Sequence, residues 1–373
     1  MLFDRRPKYR REDFYDREEE LHMFLRGLEV GEGLIVVYGV RRVGKTSLVR
    51  VGLAESDIPF VPIDLRRFSE DPSLLSPSVS ALLIEEVLKQ YEKNREKMKK
   101  FVRDILRYVD SLDLKVVKLK VKEGRRRLLA EVLEEADRWA GKRGIRVAIV
   151  LDEAQELRTV PAWRDILAWT IDNLENVTFV VTGSEVGVLR DFLKLEDRDS
   201  PLFGRARLEI NLRGFDRDVS VGFLRSGFRE AGLTIDEAEL ADAVSRLNGI
   251  VGWQALYGYY RVSYSLSHKA SLERVEADAS ELVAGELEKL VKNASRRYLA
   301  ILWAVSLGLK KWSTIKNYVE GTVGYVPDSK FSKLLRNLIK YGFLEKTEKL
   351  EYRIIDPLLP LAVDRLRRKY RVQ

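Results

Sequence analysis

The chain has no cysteine and only two histidines. Without cysteine there are no disulfides, no thiol catalysis and no cysteine-ligated zinc or iron–sulfur site. His22 and His268 alone do not form a multi-histidine metal centre, and they make a Ser–His catalytic triad improbable. These absences exclude several large classes of enzyme.

Long hydrophobic runs are also missing. The longest, at residues 298–309, is shorter than the ~20 residues that span a bilayer. The first twenty residues contain no apolar core, so we expect no signal peptide. The sequence therefore predicts a soluble, cytoplasmic protein that makes no use of a membrane.

The net charge of +8 is unevenly distributed. Residues 289–373 carry +12 and residues 89–127 carry +9, so the rest of the chain sums to −13. The length of 373 residues predicts about two or three domains. The excess of positive over negative charge is thus concentrated in two segments, where an acidic partner would bind.

Apolar, β-branched runs alternate with helical periodicity over the first 212 residues. The predicted strands are 34–38, 60–63, 147–151, 177–181 and 208–212, and the predicted helices include 12–29, 78–91, 126–139 and 161–174. This alternation predicts a doubly wound α/β core with a parallel sheet. Residues 92–127 interrupt it as a basic insertion. Beyond residue 213 the pattern is helical until two short strands near the end.

The segment G-V-R-R-V-G-K-T at residues 39–46 is a phosphate-loop motif. It follows a predicted strand and precedes a predicted helix, as the motif requires. Its backbone N–H groups and the helix N-terminus would bind phosphates, Lys45 would bridge the β- and γ-phosphates, and Thr46 would ligate Mg²⁺. The predicted nucleotide-binding residues of the loop are Gly39, Arg41, Arg42, Val43, Gly44, Lys45, Thr46 and Ser47.

Asp152 and Glu153 end the third predicted strand. Ligands bind at the carboxyl ends of strands in open α/β sheets. Asp152 is predicted to hold Mg²⁺ through water, and Glu153 to polarise the attacking water. The alternative is an acidic helix N-terminus.

Ser184, with Thr182 as second choice, is predicted to contact the γ-phosphate or the attacking water from the end of the next strand. The alternative is an N-cap for the helix that follows. Arg205 is an arginine-finger candidate that would neutralise charge in the transition state. It is equally well interpreted as a surface arginine that precedes a strand.

Together these motifs resemble the archaeal ATPase family of the STAND class of P-loop NTPases, which are relatives of AAA+ proteins. The resemblance spans nearly the whole chain. Its motifs are FYDREEEL at 14–21, VYGVRRVGKTSLV, VLDEAQEL, VTGSEVGVL, PLFGRARLEINL, LNGIVGWQALYG and IIDPLL at 354–359. Val251 stands where the lid motif usually has proline.

The resemblance implies a P-loop core at residues 1–213, a helical lid and linker at 214–288, and a winged-helix domain at 289–373. It places the acidic strand between the phosphate-loop strand and the strand that carries Ser184. It also implies that Phe14, Tyr15 and Arg17 lie near adenine, although Phe14 is equally suited to staple the first helix.

Residues 329–341 form a predicted amphipathic helix that is followed by a wing. Its apolar positions share one face, and Lys330, Lys333, Arg336 and Lys340 lie outside that face. Such a helix and wing would contact the phosphates of DNA or RNA. Protein contact and simple solvation remain alternatives.

We therefore predict a Mg²⁺-dependent, ATP-binding and ATP-hydrolysing switch, with ATP and ADP as ligands, that acts on DNA or on a protein partner. The choice of ATP over GTP rests on the resemblance. The alternative is a nucleotide-dependent DNA-binding or protein-binding regulator with negligible turnover. A tandem-core helicase is disfavoured because only one phosphate loop is present, and a small-molecule kinase is disfavoured because Glu153 favours water as the acceptor.

Overall fold

The computed structural model describes residues 1–68, 71–93, 107–109, 111–112, 128–291 and 296–372. The chain divides into two compact units, one of Pro7–Leu212 and the other of Met1–Arg6 together with Arg213–Gln373. Among the helices of the described ranges, none has the length and apolar composition that a bilayer crossing requires.

The first unit is built on a five-stranded parallel sheet in the order β2-β3-β4-β1-β5. The strands are β1 (Leu34–Tyr38), β2 (Phe60–Asp64), β3 (Val147–Asp152), β4 (Val177–Gly183) and β5 (Leu208–Asn211). Continuous apolar runs suit strands that are buried on both faces, and every residue of β1 and β4 is buried. The predicted α/β fold with a parallel sheet is confirmed.

The order of the central strands corrects one expectation. The family resemblance implied that the acidic strand β3 lies between β1 and the strand that carries Ser184, but β4 occupies that place and pairs with both β1 and β3. β4 is the longest strand and contains no charged residue, so it accepts a neighbour on each side and packing on each face. The periodicity of the sequence identifies buried strands but does not order them.

Helices connect these strands. They include α1 (Glu18–Val30), α2 (Lys45–Ser56), α3 (Pro77–Lys93), α4 (Leu129–Gly141), α5 (Ala162–Asn173) and α6 (Val186–Leu193). α1 begins six residues later than predicted because Asp16 has φ +46° and Arg17 is not helical. Most of the predicted basic insertion at 92–127, and the predicted start of α4 at Arg126, lie outside the described residues.

The second unit is helical and ends in a two-stranded wing. Its elements are α7 (Arg217–Glu230), α8 (Glu237–Leu247), α9 (Val251–Ser263), α10 (His268–Val291), α11 (Arg297–Ser306), α12 (Trp312–Val323), α13 (Asp328–Lys340), β6 (Leu344–Lys346), β7 (Tyr352–Ile354) and α14 (Leu359–Tyr370). The three helices α11 to α13 and the antiparallel wing give the predicted winged helix.

Specific contacts join the helical segment to the winged helix. The indole N–H of Trp253 in α9 donates to both carboxylate oxygens of Asp356, at 3.0 and 3.1 Å, and α10 packs along α14. At the chain start, Phe3 packs so closely against Gly227 and Gly258 that a Cβ at either glycine would lie within 2.4 Å of its ring. Residues 213–372 and the first six residues therefore fold as one compact unit.

Candidate functional site

The phosphate loop runs from β1 into α2 and depends on glycine at two positions. Gly44 has φ +101°, a conformation that side-chain-bearing residues rarely adopt, and α2 begins at the next residue. A Cβ on Gly39 would lie 2.6 Å from the carbonyl oxygen of Leu212 and 2.9 Å from Val43. The glycine spacing of the motif therefore follows from backbone geometry.

Lys45 is the buried cation of this loop. Its Nζ donates to the carbonyl oxygens of Gly39, at 2.8 Å, and Val40, at 2.9 Å. Burial lowers its pKa to about 8, although the charges of Glu153 and Asp152 oppose that shift. Phosphate oxygens in the loop would supply the negative charge that keeps this amine protonated.

Asp152 ends β3 beside the first turn of α2. Its carboxylate accepts hydrogen bonds from the hydroxyls of Thr182 and, at 3.3 Å, Thr46. Burial, with the charge of Glu153 second, raises the pKa of Asp152. The hydroxyl and the carboxylate predicted to serve Mg²⁺ therefore lie together, and such hard oxygen ligands are those that Mg²⁺ prefers.

Glu153 is held by donors that converge on its Oε2 atom. The backbone N–H of Ser184 donates at 3.0 Å, the hydroxyl of Ser184 at 2.6 Å and the Gln155 amide at 2.6 Å. Although burial opposes its ionisation, the charge of Lys45 and these hydrogen bonds lower the pKa of Glu153. Its backbone is left-handed, with φ +58°, a strain of about 1–3 kcal/mol that is typical of functional sites.

The structure thus brings together five predicted residues at the carboxyl edge of the sheet. These are Lys45, Thr46, Asp152, Glu153 and Ser184. Thr182, the second choice for contacting phosphate, donates to Asp152 and accepts from the Glu153 N–H at 3.3 Å, and its contact with phosphate remains a prediction. The remaining loop residues lie around this group, with Arg41 paired to Glu185 at 2.8 Å.

The N-terminal segment of the unit lies against the start of α2. The N–H of Lys8 donates to the Ser47 hydroxyl at 3.1 Å, and Arg50 donates to the Tyr9 hydroxyl at 2.8 Å. Phe14 is buried, Tyr15 is half-buried, and Arg17 is buried in an ion pair with Glu20 at 2.8 Å. The placement of Phe14, Tyr15 and Arg17 near adenine remains a prediction.

Arg205 lies apart from this group. It precedes β5 and makes a two-bond ion pair with Asp172, at 2.9 and 2.5 Å, close to the end of α5. Arg205 precedes β5 and Asp172 precedes β4, so both residues lie at the amino edge of the sheet. A five-residue strand separates this edge from the carboxyl edge by about 17 Å. The structure does not bring Arg205 to the phosphate loop of its own chain.

Sequence reasoning missed Asp64, Arg66 and Gln155. Asp64 ends β2 in register with Asp152, and it binds Arg66 through Nε at 2.9 Å and Nη2 at 2.7 Å. Arg66 also lies 3.9 Å from Asp152. A polar residue at the carboxyl end of a predicted strand was the available signal for Asp64, and the DEAQ sequence was the signal for Gln155.

The predicted nucleic-acid helix is α13 in the second unit. Its apolar residues Phe331, Leu334, Leu335 and Leu338 are buried. Lys330, Lys333 and Arg336 are exposed and Lys340 is half-buried. The amphipathic arrangement is as predicted, whereas nucleic-acid contact by these residues remains a prediction.

The chain is similar to known ATPases in sequence and structure. Residues 14–253 match the family described as ATPase domain predominantly from Archaea, and residues 292–355 match the MCM protein C-terminal winged helix-turn-helix domain. A Walker-type ATPase of Pyrococcus abyssi is 36% identical, with a TM-score of 0.82 over 98% of this chain and 100% of that one.

A more distant structure shares the fold. The ORC2 protein of Aeropyrum pernix, in its ADPNP–ADP complexes, is 13% identical, with a TM-score of 0.60 over 99% of this chain and 98% of its own. No curated protein matches the chain.

Proposed function

The chain belongs to the family of ATPase domains found predominantly in Archaea, and we propose on that premise that it is a Mg²⁺-dependent ATPase that works as a molecular switch. Its nucleotide state would set the position of the winged helix on DNA. The observation that carries the hydrolytic part is the convergence of Lys45, Thr46, Asp152 and Glu153 at one edge of the sheet.

Each of these residues has a separate task in the proposed reaction. The loop N–H groups and Lys45 bind the phosphates, and Lys45 neutralises the charge that develops on them. Thr46 and Asp152 would hold Mg²⁺, which supplies Lewis-acid stabilisation of the phosphate oxygens. Glu153 orients and polarises the attacking water, and Ser184 fixes the carboxylate of Glu153.

The proposal that DNA is the partner rests on the second unit. Its winged helix presents Lys330, Lys333 and Arg336 on the exposed side of α13, and the surrounding segment 289–373 has a net charge of +12. Lysine and arginine on a helix and wing bind duplex phosphates, and binding then depends strongly on salt. A protein partner is the competing interpretation of the same surface.

Assignment to the STAND class and the preference for ATP also belong to this proposal. They are supported by the motifs of the sequence, from FYDREEEL to IIDPLL. In this proposal the chain retains its nucleotide and turns over slowly until a partner shifts it to the state that releases the product. Retention of ADP through purification would support that behaviour.

Turnover of ATP, measured with and without duplex DNA on the full-length protein, tests the proposal. We expect Mg²⁺-dependent hydrolysis that responds to DNA and prefers ATP to GTP. Tight nucleotide binding with no measurable turnover under either condition would instead indicate the regulator without hydrolysis. Because residues 213–372 pack as one unit, substitutions on α13 are preferable to deletion of residues 289–373.

A further inference from the structure

Gln155 is a buried amide that uses only half of its hydrogen-bonding capacity among the described residues. It is 2% exposed. Its Nε2 donates to Glu153 Oε2 at 2.6 Å and lies 3.5 Å from the Ser184 hydroxyl. Its Oε1 atom, by contrast, is buried with no hydrogen-bond partner in the part of the chain that the structure describes. A buried polar atom without a partner is unfavourable for stability, so its presence calls for another explanation.

The orientation of this amide is fixed by charge. If the amide were turned around, its carbonyl oxygen would face a carboxylate oxygen and a hydroxyl that already donates to that carboxylate. The N–H group therefore faces Glu153. Gln155 thus lies where its amide stabilises the ionised side chain of Glu153.

The surrounding backbone is shaped to admit this side chain. A Cβ on Gly183, at the end of β4, would lie 2.7 Å from Gln155 Oε1. The left-handed conformation of Glu153 begins the short helical turn Ala154–Thr159 that carries Gln155. Gly183 and the left-handed backbone of Glu153 therefore both allow the side chains of Gln155, Glu153 and Ser184 to meet.

We propose that Gln155 is a positioning residue that, together with Ser184, fixes the carboxylate plane of Glu153 so that Oε1 of Glu153 accepts the hydrogen bond of the attacking water. All donors from Gln155 and Ser184 converge on Oε2, which leaves the other oxygen for water. This inference rests on the proposed function, because it requires Glu153 to act on water.

Two nearly isosteric substitutions test the role. Gln155→Met keeps the length and removes the amide, whereas Gln155→Glu places a second carboxylate against Glu153. We expect Gln155→Met to lower kcat at least ~10-fold, because misplaced catalytic groups lose rate steeply. KM should stay within about twofold, since substrate binding is untouched. Gln155→Glu should lower kcat further.

Stability distinguishes positioning from a structural role. Gln155→Met loses the hydrogen bond to Glu153 but also removes a buried oxygen that has no partner among the described residues, so these opposing effects should leave the melting temperature close to that of the wild type. Thr178→Val is the matched control, because Thr178 is a fully buried polar residue near the opposite end of β4 whose hydroxyl also lacks a partner in the described ranges. It should leave kcat unchanged.

A double-mutant cycle with Glu153→Gln completes the test. If Gln155 acts through Glu153, adding Gln155→Met to Glu153→Gln should lower kcat no further. Wild-type kcat in Gln155→Met, additive losses in the cycle, or a parallel loss of stability and kcat would each overturn the inference while leaving the proposed ATPase intact. Absence of turnover in the wild type would overturn the proposed function and this inference with it.

Discussion

The phosphate-loop edge of the sheet and the exposed side of α13 both concentrate charged residues, but they do so under different physical conditions. Lys45, Asp152 and Glu153 are largely buried, and each is hydrogen-bonded to neighbours. Lys330, Lys333 and Arg336 lie in solvent on an amphipathic helix. Desolvated charge opposes folding unless it is paired, whereas solvated charge costs little.

This difference decides how much each region reveals about function. A buried cluster of an amine and two carboxylates, one of them on a strained residue, breaks local rules of stability in the way that functional sites do. An exposed basic helix face needs no such explanation, because solvated lysines are common on helices. The buried edge therefore supports the proposed reaction strongly, whereas the exposed face of α13 is compatible with either a nucleic-acid or a protein partner.

The largest expected effect is on the buried edge. Glu153→Gln keeps an oxygen for the donors of Ser184 and Gln155 but puts an amide where water needs an acceptor. We expect kcat for ATP to fall about 10²–10⁴-fold with ATP affinity retained, as for loss of a general base. Steady-state turnover and calorimetry measure the two quantities. Glu156→Gln is the control, and wild-type turnover in Glu153→Gln would remove Glu153 from the mechanism.

The next effect concerns binding. Lys45→Ala removes the buried amine that the loop carbonyls hold in place. Lys45 would donate to the β- and γ-phosphates, and hydrogen bonds to charged groups contribute about 1.5–3 kcal/mol each, so losing both should weaken ATP binding roughly 100-fold or more. Calorimetry with ATP and Mg²⁺ measures it, and Lys142→Ala supplies an exposed lysine as control. Unchanged affinity would contradict the phosphate-loop assignment.

A smaller and graded effect is expected on α13. Changing Lys330, Lys333 and Arg336 to Gln removes three exposed charges without disturbing the buried face. If these side chains neutralise DNA phosphates, the slope of log affinity against log salt should become shallower by about 0.9 for each phosphate that is no longer neutralised. The control changes Arg217, Arg229 and Lys269, which are exposed on α7 and α10. Equal slopes in both variants would favour a protein partner for α13.

The same physical difference explains what the sequence could predict. The sequence could predict which residues meet at the carboxyl edge of the sheet, because the spacing of the phosphate-loop motif and the ends of the predicted strands place them there. These residues are Lys45, Thr46, Asp152, Glu153 and Ser184. The order of β3 and β4 within the sheet could not be predicted from the residues, because two buried apolar runs look alike along the chain. Nor could Gln155 be predicted, because its role depends on a left-handed Glu153 and a glycine at 183, which only the folded backbone shows.

The smallest effect should come from Arg205, at the other edge of the sheet. Its guanidinium is engaged by Asp172, at a distance from Lys45 set by the full length of the strands. Arg205→Ala should therefore leave the ATP affinity of the isolated chain within about twofold, since only groups that interact with the ligand change its binding free energy. The same titration as for Lys45→Ala measures it. A loss of affinity as large as that of Lys45→Ala would show that Arg205 interacts with the nucleotide. It would then be wrong to place nucleotide binding at the carboxyl edge of the sheet alone.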